Sequence, residues 1–398
     1  MSPALLALSA CTFALGFAEF VAVSLVPSIT ASTGISVGSV GMMIGIYAIG
    51  VSIGAPTLSA LLARAPRPRV LAISMLLFAA GNATTALTSS LPLLWGSRFL
   101  AGLMHGVVIA LAASTAAVTA GPERSGNAIA MVFGGLTLAL ILGVPLGTLA
   151  GGYFRWQDVF IGIAVIGALS AAALLRFTPV VQSGHDPAST TASVGATLGD
   201  RGTLHPVSLT ALVYCGSFTG FTYISVLLEK ATGLGSGGVT GMFFLYGVSA
   251  AAGNAFGGRF VDRVGSRAAS LSVVIGIFVA LAGAYAGATS AAAMAVVMVI
   301  WGLASFGAVP VLQKTVLVAA QHNPRGSPEL ASGMNIAAFN LGIAGGSLLG
   351  GWASHHGALM PMAVGFAPLI FAAVLAFRLG VKPASLNAAQ PVFSKPGV

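Results

Sequence analysis

An all-α membrane protein of twelve transmembrane helices, arranged as two pseudo-symmetric six-helix bundles, is the fold class this sequence predicts. Three observations predict it. Hydrophobic residues make up 57% of the 398-residue chain and charged residues only 6%, with a mean hydropathy of +0.97. Apolar runs of about 20 residues, the length that crosses a bilayer core, recur along the chain twelve times. The second half also repeats the first at a fixed offset. A soluble domain carries roughly 25% charged residues, so this inventory cannot build a water-facing surface, whereas a lipid-facing one needs no charge. The 53 glycines agree, because Gly is commoner in membrane helices than in soluble ones.

Taken in order, the first run (4–27) has no Lys or Arg before it and is too long for the core of a signal peptide, so it reads as a membrane helix. Helices follow at 38–61, 70–89, 92–116, 127–150 and 157–176, and then at 207–228, 239–260, 268–287, 291–314, 329–352 and 359–378. The longest polar interruption, 177–206, holds Ser183, His185, Asp186, Pro187, Asp200, Arg201 and Pro206. It reads as a cytoplasmic linker between an N-terminal bundle, 1–176, and a C-terminal bundle, 207–380. Residues 381–398 contain Pro383, Pro391 and Pro396 without apolar periodicity, which predicts a disordered cytoplasmic tail.

Basic residues give the orientation. On the side of the N-terminus the loops and tail hold 14 Lys and Arg, among them Arg64, Arg67, Arg69, Arg124, Arg263, Arg267 and Lys314; the opposite side holds only Arg155 and Lys230. Cytoplasmic loops carry the excess of Lys and Arg, so both termini are expected in the cytoplasm. The net charge of +9 is thereby a topology signal and not a nucleic-acid surface. Cys11 and Cys215 both fall inside apolar runs and read as small buried hydrophobes.

The repeat is read from the loops. Pairing the loop after helix 2 with the loop after helix 8 sets Arg64 against Arg263, an offset of 199. Carried unchanged to helices 5 and 11, that offset pairs Gly143, Gly147, Gly151 and Gly152 with Gly342, Gly346, Gly350 and Gly351. A duplicated six-helix unit is the layout of transporters that rock two halves about a central site.

Ionisable groups at membrane depth cost several kcal/mol unless paired or hydrated, which makes each a functional candidate. Glu19 and Arg98 lie well inside their helices, with the titratable His105 seven residues beyond Arg98 on the same helix face. At ~1.5 Å per residue, Glu19 and Arg98 sit about 12 Å and 9 Å from the outer ends of helices 1 and 4, at similar depth. Their repeat partners are Phe218 and Val297, so the second half offers no equivalent. Two roles are open to the pair: a proton-binding carboxylate with its counter-ion, or a static ion pair that orders the bundle. For His105 they are a proton relay or a packing imidazole. No Gly-Lys dipeptide exists, so there is no nucleotide-binding P-loop, and no His-Glu-x-x-His or Cys-x-x-Cys supports a metal site. Neither a cofactor nor enzymatic activity is expected, and the proton gradient is the expected energy source.

Several segments together resemble the major facilitator superfamily, in its twelve-helix drug:proton antiporter branch, and within it the sugar-efflux and arabinose-efflux-like permeases. Gly258-Arg259-Phe260-Val261-Asp262-Arg263-Val264-Gly265-Ser266-Arg267 is similar to the family's G-x-x-x-D-R-x-G-x-R/K loop. The first-half loop departs from it, with Ala63 in place of the acid and Pro66 in place of the glycine. Gly134, Gly143, Gly147, Gly151 and Gly152 are similar to the antiporter signature of helix 5, with Thr148 where the family has Pro and Pro145 nearby. Arg98 to Gly106 resembles the R-x-x-x-G segment of helix 4, and Gly16-Phe17-Ala18-Glu19-Phe20 the G-x-x-E-F segment of helix 1.

The resemblance implies a proton-coupled exporter of drugs or sugar-like metabolites, monomeric, in a bacterial cytoplasmic membrane. A proton-independent or uptake permease is the alternative, and a membrane enzyme or channel the alternative from another class. Proton coupling falls to Glu19, Arg98 and His105. Gating falls to Arg64, Gly143, Pro145, Gly147, Gly151, Asp262, Arg263, Gly265 and Arg267. Helix position assigns Phe17, Phe20, Tyr47, Met104, Phe133, Phe218, Tyr223, Tyr246 and Phe339 to a central cavity, with Asn335 and Asn340 as polar handles.

Overall fold

A computed structural model describes residues 2–62, 65–121, 125–178, 197, 199–321 and 328–380. The expectations for Arg64, for most of the 177–206 linker and for the 381–398 tail lie outside the described residues. Every regular element described is helical. The helices are α1 (Pro3–Thr33), α2 (Val37–Leu58), α3 (Arg67–Leu87), α4 (Leu91–Ala120), α5 (Ser125–Tyr153) and α6 (Trp156–Phe177). In the second half they are α7 (Arg201–Lys230), α8 and α9 (together Ser236–Gly287), α10 (Ala291–Ala320), α11 (Pro328–Ser354) and α12 (Met360–Phe377). Gly265, at φ 82° and ψ 161°, breaks the 52-residue stretch into α8 and α9, so twelve membrane-length helices are described. Only glycine takes that backbone without a side-chain clash.

Helix ends run past the limits the sequence suggests. α1 continues through Pro27 to Thr33 and stops at Gly34 (φ 71°), whose amide bonds the Thr30 carbonyl at 3.0 Å. A proline is tolerated there because neighbouring helices and local adjustments satisfy the freed backbone groups. α7 starts at Arg201, not 207, because Asp200 caps it. The Asp200 carboxylate accepts from the Thr203 hydroxyl and from the amides of Gly202 and Thr203, which hold its carboxyl below the usual carboxylate range.

Glycines decide which helices touch. A side chain on Gly143 or Gly147 of α5 would strike Phe17 of α1, and one on Gly151 would strike Leu25. Their repeat partners Gly342, Gly346 and Gly350 of α11 lie against Ala211, Cys215 and Thr219 of α7. The 199-residue repeat is therefore a repeat of packing: α5 on α1, α11 on α7. Both α2 and α5 carry a π-helical segment, Gly54–Leu58 with Pro56 inside it and Ala139–Gly143 with Pro145 just after it, and such segments redirect a helix. The outside is apolar, with Leu169 66%, Phe256 64% and Phe371 63% exposed, as a surface meeting hydrocarbon requires.

The halves meet through α2 with α11, α5 with α8, and α1 with α7. These contacts lie toward the face opposite the termini. Gly38 abuts Gly351, Gly152 abuts Ser236, and the Ser225 hydroxyl donates to the Val23 carbonyl at 2.6 Å. Tyr223 fills a slot between Gly41 of α2 and Gly350 and Gly351 of α11, its hydroxyl donating to Ser347 O at 2.8 Å. That face is closed. Between the halves on the terminal side lies a cavity of about 540 Å³.

Candidate functional site

The cavity runs from mid-membrane toward the terminal face. From α4 it takes His105 and Ala113, from α10 Phe306 and Gln313, and from α11 Ser332 and Asn340, which lie between the middle of those helices and their ends nearer the termini. Glu19 and Phe20, at the middle of α1, close its inner end. Among the residues lining it, Glu19 is the only acid, and there is no Lys or Arg.

Behind Glu19 stands a buried polar network. His105 Nδ1 is 3.9 Å from Glu19 Oε2 and 2.7 Å from the Tyr47 hydroxyl. With the ring proton on Nε2, the hydroxyl donates to Nδ1. Arg98 does not form the direct ion pair with Glu19 that the sequence suggests. Its guanidinium donates to the Ala18 carbonyl at 3.0 Å and to Asn82 Oδ1 at 3.5 Å, and lies 4.1 Å above the Tyr47 ring. The reason is steric: Gly50 of α2 sits on the Phe99 carbonyl and Gly102 of α4 on that of Tyr47, so the Tyr47 ring is pressed against Arg98. A guanidinium stacks on an aromatic face more readily than an ammonium, since it is planar and weakly hydrated. All four groups are buried, with Arg98 wholly so.

The cavity residues expected from helix position divide cleanly. Phe20, Phe133, Asn335, Phe339 and Asn340 line it. The rest do not. Phe17 is turned to the α5 glycines, Tyr47 is beneath His105, and Met104 is buried beside it in the sequence. Phe218 contacts Phe221, on which Tyr246 stacks at 4.4 Å, and Tyr223 belongs to the closed face. Aromatic content alone could not separate wall from packing. Phe306, 5.7 Å from Phe20 between ring centroids, and Tyr214, 4.2 Å from Phe339, are cavity residues the sequence reading missed. So are Thr210 and Gln313. Thr210 Oγ1 donates to Asn335 Oδ1 at 2.6 Å, Asn335 Nδ2 to Gln313 Oε1 at 2.7 Å, and Gln313 Nε2 to Ser332 Oγ at 2.6 Å. The signal that could have found them is a polar residue inside an apolar run.

The gating candidates separate too. Gly143, Gly147 and Gly151 join α5 to α1, and Pro145 is buried just past the π-helical segment. Asp262, at the end of α8, is ion-paired with Lys314 of α10 in a partly exposed position. The sequence reading placed Lys314 among the basic residues of the terminal side and did not pair it with Asp262. Arg267 lies 4.1 Å over the Phe377 ring of α12. Gly265 makes the break beside Arg263 described above.

The model of the Major Facilitator Superfamily matches residues 8–328. YtbD of Bacillus subtilis (strain 168), an uncharacterised MFS-type transporter, is 34% identical over 356 residues, covering 88% of this chain and 88% of its own. A chloramphenicol resistance protein of Streptomyces lividans is 30% identical over 360 residues, again covering 88% of each chain. Among solved structures, a bacterial homologue of the human lysosomal transporter Spinster, inward-facing and unoccupied, superposes with a TM-score of 0.76 at 15% identity, covering 94% of this chain and 95% of that one.

Proposed function

The chain belongs to the major facilitator superfamily and transports small molecules across a membrane, and from that premise we propose that it exports amphipathic solutes in exchange for protons. One observation carries the reading. Glu19 stands at the closed end of a largely apolar cavity, within reach of a solute entering from the terminal face and beside His105. A carboxylate there takes one positive partner at a time, a proton or a solute donor. Bare, it is an uncompensated charge at membrane depth and opposes closure around it. Occupied by either partner, it permits the halves to rock. Exchange of the two occupants on opposite faces is antiport.

The chain's own geometry supports the parts of this cycle. The closed face is held by glycine-lined contacts, with no ion pair across it among the described residues, and the terminal face is the one rich in Lys and Arg, the cytoplasmic signature. Export, and membership of the drug:proton antiporter branch, rest on the helix-5 glycine series and on the resemblance to the chloramphenicol resistance protein. Phe20, Phe133, Phe306 and Phe339 form the apolar walls such solutes need.

The test is accumulation by everted membrane vesicles of a panel of uncharged drugs, lipophilic cations and sugars. Accumulation of at least one amphipathic drug is expected when the vesicle interior is acid, and its loss on adding an uncoupler. Uptake that an uncoupler leaves unchanged would remove proton exchange from the account.

A further inference from the structure

Asn340 is 3% exposed and lines the cavity, and its Oδ1 has no hydrogen-bond partner. Its orientation is fixed, because Nδ2 donates to the Ile336 carbonyl at 2.9 Å and the flipped amide would set two oxygens against each other. Two other amide carbonyls that line the cavity are occupied, Asn335 Oδ1 by Thr210 and Gln313 Oε1 by Asn335, while Asn254 is exposed. Nor does the fold require an amide here. The repeat partner of Asn340 is Ile141, which occupies the equivalent place on α5. A buried acceptor without a donor is costly in any protein, and one retained beside an open cavity points to a ligand that brings the donor.

We propose that Asn340 is a specificity-determining residue, accepting a hydrogen bond from an N–H or O–H group of the transported solute. This rests on the transport reading above and adds the solute's chemistry. The solute carries at least one donor on an aromatic or aliphatic body that fits against Phe20, Phe306 and Phe339. Glu19 and Asn340 stand on opposite halves of the molecule, one on α1 and one on α11. A solute bearing donors at both ends ties the halves together, whereas an analogue lacking donors leaves the Asn340 oxygen unpaired and is rejected. Such sites discriminate strongly against analogues that lack the group, since the buried acceptor then has no water to return to.

The experiment uses purified full-length protein in detergent and two probes of equal charge, 2-(1-naphthyl)ethylammonium and its N,N,N-trimethyl analogue. Only the first carries N–H donors. Wild type is expected to bind the ammonium about tenfold more tightly, the size of one well-made hydrogen bond. Asn340→Leu is expected to show a clearly smaller preference, the remainder being that of Glu19, with its affinity for the trimethyl analogue retained, which also shows that the variant is folded. Asn340→Asp keeps an acceptor oxygen and is expected to keep the preference. Equal binding of the two probes by wild type, no binding of the ammonium, or an unchanged preference in Asn340→Leu would each overturn the proposal. Because binding is read without a gradient, those outcomes leave proton exchange, tested through Glu19, standing.

Discussion

Glu19→Gln eliminates the gradient-dependent component of transport while leaving the protein folded and able to bind an uncharged solute. Glutamine keeps the volume and the hydrogen-bonding reach of the side chain but takes up no proton. The change therefore removes one property and little else. In proteoliposomes with an imposed pH gradient, accumulation of solute above its equilibrium level by the variant should fall to that of protein-free vesicles. Exchange of labelled for unlabelled solute at equal pH should persist, because the glutamine stands in for the protonated acid and permits rocking. Undiminished gradient-driven movement by Glu19→Gln would take the residue out of the mechanism. Its neighbours make the prediction specific. His105 Nδ1 lies 3.9 Å away, and no Lys or Arg lines the cavity to neutralise the carboxylate in its place.

Gly41→Val is the second change with a large expected effect. Gly41 of α2 lies directly against the ring and hydroxyl of Tyr223, which is itself lodged against Gly350 and Gly351. A valine there overlaps the ring, and overpacking of this kind costs about 1–3 kcal/mol. The overlap exists only while the face opposite the termini is closed, so the cost falls on that state alone. It should shift the equilibrium toward the state open on that face by roughly 5- to 150-fold. Spin labels at Ser36→Cys and His356→Cys, in a background lacking Cys11 and Cys215, report the separation of α2 and α11. The distance distribution should move to longer values in Gly41→Val and return in Gly41→Val/Tyr223→Ala, where the valine takes the space of the ring. An unchanged distribution in the single variant would show that this slot does not hold the face shut.

Much of this architecture is legible in the sequence, and the reason is the solvent. A bilayer forces each crossing to be a long apolar helix that satisfies its own backbone, so composition and run length give twelve helices directly. The helix ends were less legible, because Pro27 does not stop a membrane helix and Asp200 caps earlier than polarity suggests. The glycine repeat was legible, and its meaning as one packing relation used twice, α5 on α1 and α11 on α7, emerges in three dimensions. At the site, Glu19, Arg98 and His105 were visible because charge at membrane depth is rare. Their pairing was not. Depth and face place Arg98 level with Glu19, but they say nothing of the ring of Tyr47, on which Arg98 stacks 4.1 Å away. Nor does sequence tell a cavity aromatic such as Phe306 from a packing one such as Phe218, since both are apolar residues on interior faces.

The central claim is exchange of solute for protons at one carboxylate. The most direct measurement places a pH-sensitive dye inside proteoliposomes and adds, without an imposed gradient, the drug found by the vesicle panel. Entry of the drug should drive protons out, with the interior becoming alkaline in wild type and unchanged in Glu19→Gln. Drug entry with no pH change in wild type, or with protons moving in the same direction as the drug, would contradict the account.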